Sequence, residues 1–466
     1  MTSISIRSNI QTEIREFLKL AIPLASAQVA QATTGFVDAV MMGWLGQEVL
    51  AAGGLATMIF MAMMMTGIGI ISGVSPLVAE AYGAKQNRRV GQITRQGLWI
   101  ALLLAIPGMM IIANLDGLMH QFGQAENIVT LADTYLNVMA WGLFPAIAFA
   151  VLRGCIVSLS EARPVMFIVV TATGFNIIGN YVLAFGKLGF PEMGIAGLAV
   201  ASICAHWIMF LSLLGYMVWH KALRQYSLFK TLHRLEPKTM QQLLWVGGPI
   251  GITTLLEYGL FTTLTFFMGA LGTPVLAAHQ IVLQTLTVIY MVPLAMSYAA
   301  TVRVGQWFGQ RDWQQVRQAA FVSIGLAVMF LIVAAIALFT HSRQIIGLYL
   351  NLNDPANANV LNIGVSLMTV AAFGQVLDGV QRTANGVLQG LQDTRIPMLL
   401  GTFSYWGVGL TTSYFLGFHT DLAGTGIWLG SYIGIATAAI AFIWRFRGIL
   451  SKKESRHPIN GLTFKE

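Results

Sequence analysis

The sequence predicts an all-α polytopic membrane protein, with twelve transmembrane helices in two parallel-repeat six-helix lobes around a central cleft. Three observations predict it: a composition too apolar for a soluble core, apolar runs long enough to span a bilayer, and an internal duplication at a constant offset.

Composition sets the class. Hydrophobic residues make up 56% of the 466 residues and charged residues 10%, with a mean hydropathy of +0.69. Soluble domains carry roughly 25% charged and about 45–50% apolar residues. Lipid absorbs that excess where a core would not. At about 20 apolar residues per span, the chain holds about twelve helices and no large soluble domain. Its first sixteen residues, MTSISIRSNIQTEIRE, lack the apolar centre and small-residue cleavage site of a secretory signal, so the first span is expected to be retained. Cys155 and Cys204 both lie in apolar stretches and read as small packing residues without a disulfide framework.

Apolar runs set against charged or Gly/Pro-rich breaks place spans near 17–43, 49–80, 92–113, 127–152, 163–186, 194–218, 240–270, 275–305, 315–340, 356–388, 395–417 and 424–447. Runs longer than the bilayer is thick imply tilt or extension into the cytoplasm. Orientation follows from Lys and Arg. With the N-terminus inside, the cytoplasmic loops hold Lys85, Arg88, Arg89, Arg153, Arg163, Lys221, Arg224, Lys230, Arg234, Lys238, Arg311, Arg317 and Arg395, and the tail adds Arg447, Lys452, Lys453 and Arg456. The opposite loops hold only Lys187 and Arg343. Both termini are therefore expected in the cytoplasm of a multi-pass protein of the cell (inner) membrane. The formal net charge of +8 serves topology and contact with anionic membrane lipid. No basic stripe with interleaved aromatics suggests nucleic-acid binding. Trp44, Trp219, Trp245, Trp307 and Trp444 lie near span ends and read as interfacial anchors.

The repeat gives the domain plan. Pro23 to Gln92 lies over Pro249 to Gln318 without a gap at an offset of 226 (249 minus 23), matching Gly43 to Gly269, Gly46 to Gly272 and Val49-Leu50-Ala51-Ala52 to Val275-Leu276-Ala277-Ala278. Arg163 falls on Arg395, and the ladder Gly197, Ala201, Ala205 on Gly426, Gly430, Gly434, after small changes of offset. The plan is an amino-terminal lobe over 1–220, a basic cytoplasmic linker over 221–239, a carboxy-terminal lobe over 240–447 and a cytoplasmic tail over 448–466. An even number of spans per repeat gives both the same orientation, the arrangement of secondary transporters. Small-xxx-small ladders are more often helix packing than function.

Ionisable groups in mid-span cost roughly 2.5–3.5 kcal/mol each, so Asp38 in span 1, Glu257 in span 7 and Asp378 in span 10 are the candidates for function. No Lys or Arg is evident as their mid-membrane partner. Lone buried carboxylates exchange a proton or hold a cation; interhelical hydrogen bonding is the alternative. Asn176 and Asn180, at i and i+4 on span 5, present two amides on one face that suit a carboxylate. Met58, Met61, Met63, Met64, Met65 and the 26 Phe suggest a soft apolar lining. His279, in AAHQ, reads as a packed or capping residue rather than a metal ligand. No GxxxxGK[ST], HExxH or GxSxG occurs, so neither ATP-driven transport nor hydrolysis is indicated and no enzyme is expected. An ion gradient remains as the energy source, with Na+ or H+ the coupling ion and no cofactor.

Several segments together resemble the multidrug and toxic compound extrusion (MATE) family, NorM type. They are LAIPLASAQVAQATTGFVDAVMMGWLG in span 1, LGTPVLAAHQ entering span 8, RVGQWFGQRD closing it and GVLQGLQDTR between spans 10 and 11. The resemblance covers residues 15 to 447. It implies two six-helix lobes around a cleft and export of small amphipathic, often cationic organic compounds in exchange for sodium ions or protons; a monomer working through alternating access is the expectation drawn from the whole sequence. It implies that Asp38 works with Asn176 and Asn180, and with Ser202 on span 6. It also implies that Glu257 and Asp378 form a cation site, the sodium-binding pair if sodium is the ion. This chain carries Asn180 where other branches have a second carboxylate, and Gly374 where some relatives have an aromatic residue one turn before the span 10 acid. The rival readings are a lipid or oligosaccharide flippase of related two-lobe design, which a mid-span Arg or Lys would favour, and a channel.

Overall fold

The computed structural model describes residues 2–115, 117, 119, 125–228, 233–352 and 354–454. Lys230, Arg456, residues 229–232 of the expected linker and 455–466 of the expected tail lie outside the described residues. Among those described, helix is the dominant structure, in twelve long segments. They are α1 (Thr2–Leu45), α2 (Gln47–Gly83), α3 (Asn87–Ile112), α4 (Glu126–Ser158), α5 (Arg163–Ala184), α6 (Ile195–Trp219), α7 (Pro237–Ala270), α8 (Thr273–Gln310), α9 (Trp313–Ile346), α10 (Ala358–Gly390), α11, and α12 (Ala423–Glu454). α11 runs as Arg395–Thr402, a π-helical stretch Phe403–Gly409, and Leu410–Phe418. The expected spans fall on these segments in order.

Ten helices among the described residues are long and apolar enough to cross a membrane unaided. The other two are α1 and α11. α1 carries Gln28, Gln31, Thr33, Thr34 and Asp38 in its second half. The π turn divides α11 into pieces each too short to span alone. α8, at 38 residues, is about 57 Å long, well beyond the roughly 30 Å of bilayer hydrocarbon, as its apolar run predicts.

The duplication is visible in the backbone. Between α1 and α2 the chain turns at Gly46 (φ 131°), and between α7 and α8 at Gly272 (φ 117°), a conformation that only glycine adopts without strain. Lys85 (φ 57°) ends α2 and Arg311 (φ 60°) ends α8, again 226 residues apart. α9 then starts from Asp312, whose side chain caps the Gln315 amide at 3.0 Å.

By contact the chain divides into residues 22–255 and a second unit of residues 1–21 with 256–466. Both divisions fall inside a continuous helix, in α1 near Pro23 and in α7 between Leu255 and Leu256. Within 22–255, α2 crosses α7 glycine on glycine. A Cβ on Gly69 would sit 2.7 Å from Gly251 Cα, one on Gly73 2.9 Å from Gly247 N, and one on Gly247 would collide with the Ile70 carbonyl. The small-residue ladder on α6 packs likewise: a Cβ on Gly197 would meet the Leu183 backbone at 2.6 Å. In the second unit Gly430 lies against the backbone of Ser413, and a Cβ on Gly434 would come within 2.5 Å of Gly409 Cα. These ladders are close-packing seams.

The polar first sixteen residues have a structural role the sequence conceals. Residues 2–16 extend α1, and Glu13 is 3% exposed. The Arg303 guanidinium of α8 donates to it twice, Nε to Oε1 at 2.8 Å and Nη2 to Oε2 at 2.5 Å, while Arg303 Nη1 donates to Gln306 at 2.9 Å. Trp307 Nε1 donates to Glu13 Oε2 at 3.1 Å. Trp44, Trp219, Trp245 and Trp444 are exposed, the first two at the ends of α1 and α6 and the other two well inside α7 and α12. Cys155 is buried, whereas Cys204 is exposed on α6 and packs nothing shut.

Candidate functional site

Two polar clusters interrupt the apolar interior, one in each unit. The first joins α1, α5 and α6. Asn176 and Asn180 sit one helical turn apart, so their amides stack on one face of α5. Asn180 Nδ2 donates to Asp38 Oδ1 at 2.5 Å and to Asn176 Oδ1 at 3.2 Å. Asn176 Nδ2 donates to Ser202 Oγ on α6 at 3.1 Å. All four predicted residues of this group are therefore brought together. Asn176, Asn180 and Ser202 are buried and Asp38 is half-buried. One acceptor is left over: Asn180 Oδ1 is buried without a hydrogen-bond partner. An ordinary interior leaves few such atoms.

The second cluster joins α7, α8, α10 and α11. Glu257 and Asp378 belong to one electrostatic cluster, together with an arginine absent from the expected site residues. Arg382 Nη2 donates to Glu257 Oε2 at 2.7 Å, both side chains being mostly buried. This overturns the expectation that the mid-membrane acids have no cationic neighbour. Arg382 follows Asp378 by four residues, which puts both on one face of α10. The spacing in DGVQR is the signal that could have found it. The Tyr290 ring lies 5.2 Å from the guanidinium carbon, a cation–π contact that supports a partly desolvated arginine. Tyr405 Oη donates to Glu257 Oε1 at 3.4 Å and accepts from Gln381 Nε2. Tyr405 belongs to the π turn of α11, where widening re-aims the side chains, and nothing in the sequence marks it.

Asp378 differs from Glu257 in its surroundings. Among the described residues no side-chain hydrogen bond reaches it. With all three groups ionised, two carboxylates and one guanidinium leave one negative charge uncompensated. Arg382 is a mid-helix cation of the kind the flippase reading calls for, yet its pairing with Glu257 keeps the cluster acidic rather than basic.

His279 is a packed residue, as its setting in AAHQ suggests. It is 1% exposed. Trp428 Nε1 donates to its Nδ1 at 3.1 Å, and Nε2 lies 3.1 Å from Thr265 Oγ1. Since Thr265 spends its own hydroxyl proton on the Phe261 carbonyl, the imidazole accepts at Nδ1 and donates from Nε2.

A twice-repeated half, each copy with its own buried acid group, matches a known family in the same two places. The MatE family profile matches residues 23–182 and again 249–415, starting at the two prolines that define the 226-residue offset. The chain belongs to the MatE family. It is 71% identical over 455 residues to the probable multidrug resistance protein NorM of Synechocystis sp., covering 98% of this chain and 99% of that one. It is 46% identical over 437 residues to the probable multidrug resistance protein NorM of a Synechococcus strain, covering 94% of each. Among solved structures, MATE in complex with MaL6 superposes with a TM-score of 0.86 at 21% identity, covering 95% of this chain and 97% of that one. That likeness establishes the twelve-helix MATE fold. As a MATE-family chain it is a multi-pass membrane transporter rather than an enzyme.

Proposed function

We propose that this MATE transporter exports small amphipathic, often cationic organic compounds from the cell by antiport against Na+ or H+, through alternating access. The observation that carries the coupling is the grouping of two buried acids, Glu257 and Asp378, with one guanidinium, Arg382, which with all three ionised leaves one negative charge. One monovalent cation, metal or proton, neutralises it, and a cationic substrate competes for the same charge. Multidrug export is supported by the relatives' names. Sodium is favoured as the ion, because two carboxylates and nearby tyrosine hydroxyls offer oxygen ligands. Asp38 is the alternative coupling group. A half-turn of the Asn180 amide would present its unpaired oxygen to a protonated Asp38, so the amino-terminal network accommodates both protonation states.

The six-span repeats 1–220 and 240–447 are proposed as the parts that alternate, in a monomer of the inner membrane with both termini cytoplasmic. The distribution of Lys and Arg supports that orientation, and the same basic residues would contact anionic lipid. The test loads purified protein into vesicles and follows efflux of a fluorescent organic cation under separate sodium and proton gradients. Saturable, gradient-driven efflux supports the carrier, whereas conduction indifferent to a counter-gradient would establish a channel. Efflux that is unchanged when sodium is replaced by a non-transported cation at fixed pH removes the sodium assignment and leaves Asp38 as the coupling residue.

A further inference from the structure

Glu257 is engaged on both of its oxygens by groups of the protein itself. Arg382 Nη2 donates to Oε2 at 2.7 Å and Tyr405 Oη to Oε1 at 3.4 Å. The tyrosine is free to donate, because it accepts from Gln381 Nε2 and keeps its own proton for the carboxylate. Trp406, the next residue of the π turn, donates its indole N–H to the Leu256 carbonyl at 3.1 Å, which ties α11 to α7 beside Glu257. This acid is held as the acceptor of fixed donors, and a guanidinium already supplies the positive charge that a mobile cation would bring.

Arg382 is placed to choose between two acids. Its backbone is pinned: Ser297 Oγ of α8 donates to the Arg382 carbonyl and Thr301 Oγ1 to the Gly386 carbonyl, each at 2.9 Å. A change of partner therefore falls to the side chain. Asp378 lies four residues earlier on α10, the spacing at which a carboxylate and a guanidinium on one helix meet. Arg382 Nε is buried without a hydrogen-bond partner, so part of the donor fork is unused while Glu257 holds another part. The face of Tyr290, 5.2 Å from the guanidinium carbon, supports the arginine in its present place.

We propose that Glu257 is a positioning residue: it holds Arg382 off Asp378 and so leaves Asp378 as the acid that takes the coupling cation. This assignment rests on the reading of the cluster as the cation site, and within it the two carboxylates have different roles. Charge, rather than the number of ligands, then decides binding. With both acids and Arg382 ionised the cluster carries one negative charge. Without Glu257 the guanidinium turns to Asp378 and the residual charge is zero. Without both Glu257 and Arg382 it is minus one again. A site in which Glu257 is itself a ligand behaves oppositely in that last case, because the ligand stays lost.

The test measures sodium binding to the purified full-length chain in detergent at fixed pH, with radioactive sodium, alongside the rise in melting temperature that sodium produces. Glu257→Gln is expected to raise the half-saturating sodium concentration by about tenfold or more, because a fixed positive charge then lies against the one remaining acid. Glu257→Gln combined with Arg382→Met should return it to within about threefold of wild type, the non-additive outcome of removing two coupled charges. Glu257→Gln with Arg382→Gln repeats the same charge count with a polar side chain, should the methionine variant not purify as a folded protein. A double variant as weak as the Glu257→Gln single makes Glu257 a direct ligand and refutes the positioning role, as does a single variant that binds like wild type. Asp378→Asn separates the two readings. If sodium binding survives that change, or if the wild type binds no sodium, the cation-site reading fails and takes this assignment with it. If Asp378→Asn abolishes binding while the double variant stays weak, the site reading stands and only the role given to Glu257 falls.

Discussion

Glu13 is the sharpest test of the packing argument, because a carboxylate in a polar leader is matched to an arginine 290 residues away. Glu13→Ala removes both Arg303 bonds and the Trp307 bond, leaving a guanidinium whose side chain is 11% exposed with Gln306 and the face of Trp307 but no counter-charge bonded to it. Breaking one partner from a buried pair costs about 3–5 kcal/mol. The segment before Pro23 can also undock locally, which caps the loss at the free energy holding that segment down. The expected signature is therefore regional: hydrogen exchange over residues 10–21 accelerates by at least tenfold, with a lower melting temperature in detergent. Replacing the pair together, as Glu13→Leu with Arg303→Met, should recover most of the loss, because a packed apolar pair is often as stable as a buried ion pair. Unchanged exchange and melting in Glu13→Ala would falsify the view that this pair anchors the amino-terminal segment.

Asp38→Asn should fold and express normally, because an amide oxygen still accepts from Asn180, while efflux falls at least tenfold if Asp38 exchanges ions; full efflux from well-expressed protein counts against that role. Glu257→Gln removes the carboxylate bonded to Arg382 and leaves Asp378 as the remaining acid of the cluster, so sodium-dependent efflux should need a higher sodium concentration. Gly247→Ala should abolish folded yield, since its Cβ meets the Ile70 carbonyl, whereas adjacent Gly248→Ala, with open space around it, should purify like wild type; equal yields would contradict the close α2–α7 crossing.

The fold is legible in the sequence because each of its determinants is local. Span length, the breaks at Gly46 and Gly272, and the charge bias of the loops all act over a few residues, and the duplication reads every one of them twice. The site is legible only where the signal is intrinsic to one residue or one helix. Asp38, Glu257 and Asp378 stand out by their own cost in lipid, and the Asn176–Asn180 pair by its i,i+4 spacing. Arg382 was within reach by the same spacing rule applied to Asp378. Glu13 was not, since a glutamate in a polar segment announces burial only once its partner on α8 is known. Tyr405 and the π turn that aims it depend on an extra residue in the helical register, which leaves no compositional trace.

The two acid groups also show how one duplicated half came to hold two different sites. The repeats share backbone so closely that the same left-handed residue ends α2 and α8, at Lys85 and Arg311. They do not share chemistry. The first repeat surrounds its acid with neutral amides and a hydroxyl; the second pairs one of its two acids with arginine. A carboxylate among amides has no fixed counter-charge and must recruit a mobile cation or proton to be neutral. A pair of carboxylates beside one arginine reaches the same residual charge of minus one, but its field is set partly by Arg382 and so survives ion release with less reorganisation. If both sites carry one uncompensated charge, ion binding at either is sufficient to neutralise its own unit. Asp38→Asn and Asp378→Asn should then reduce coupling independently, and their combination should behave as the sum of the two, because the two clusters share no residue. A double variant no worse than the poorer single variant would mean instead that the two acids serve one common step.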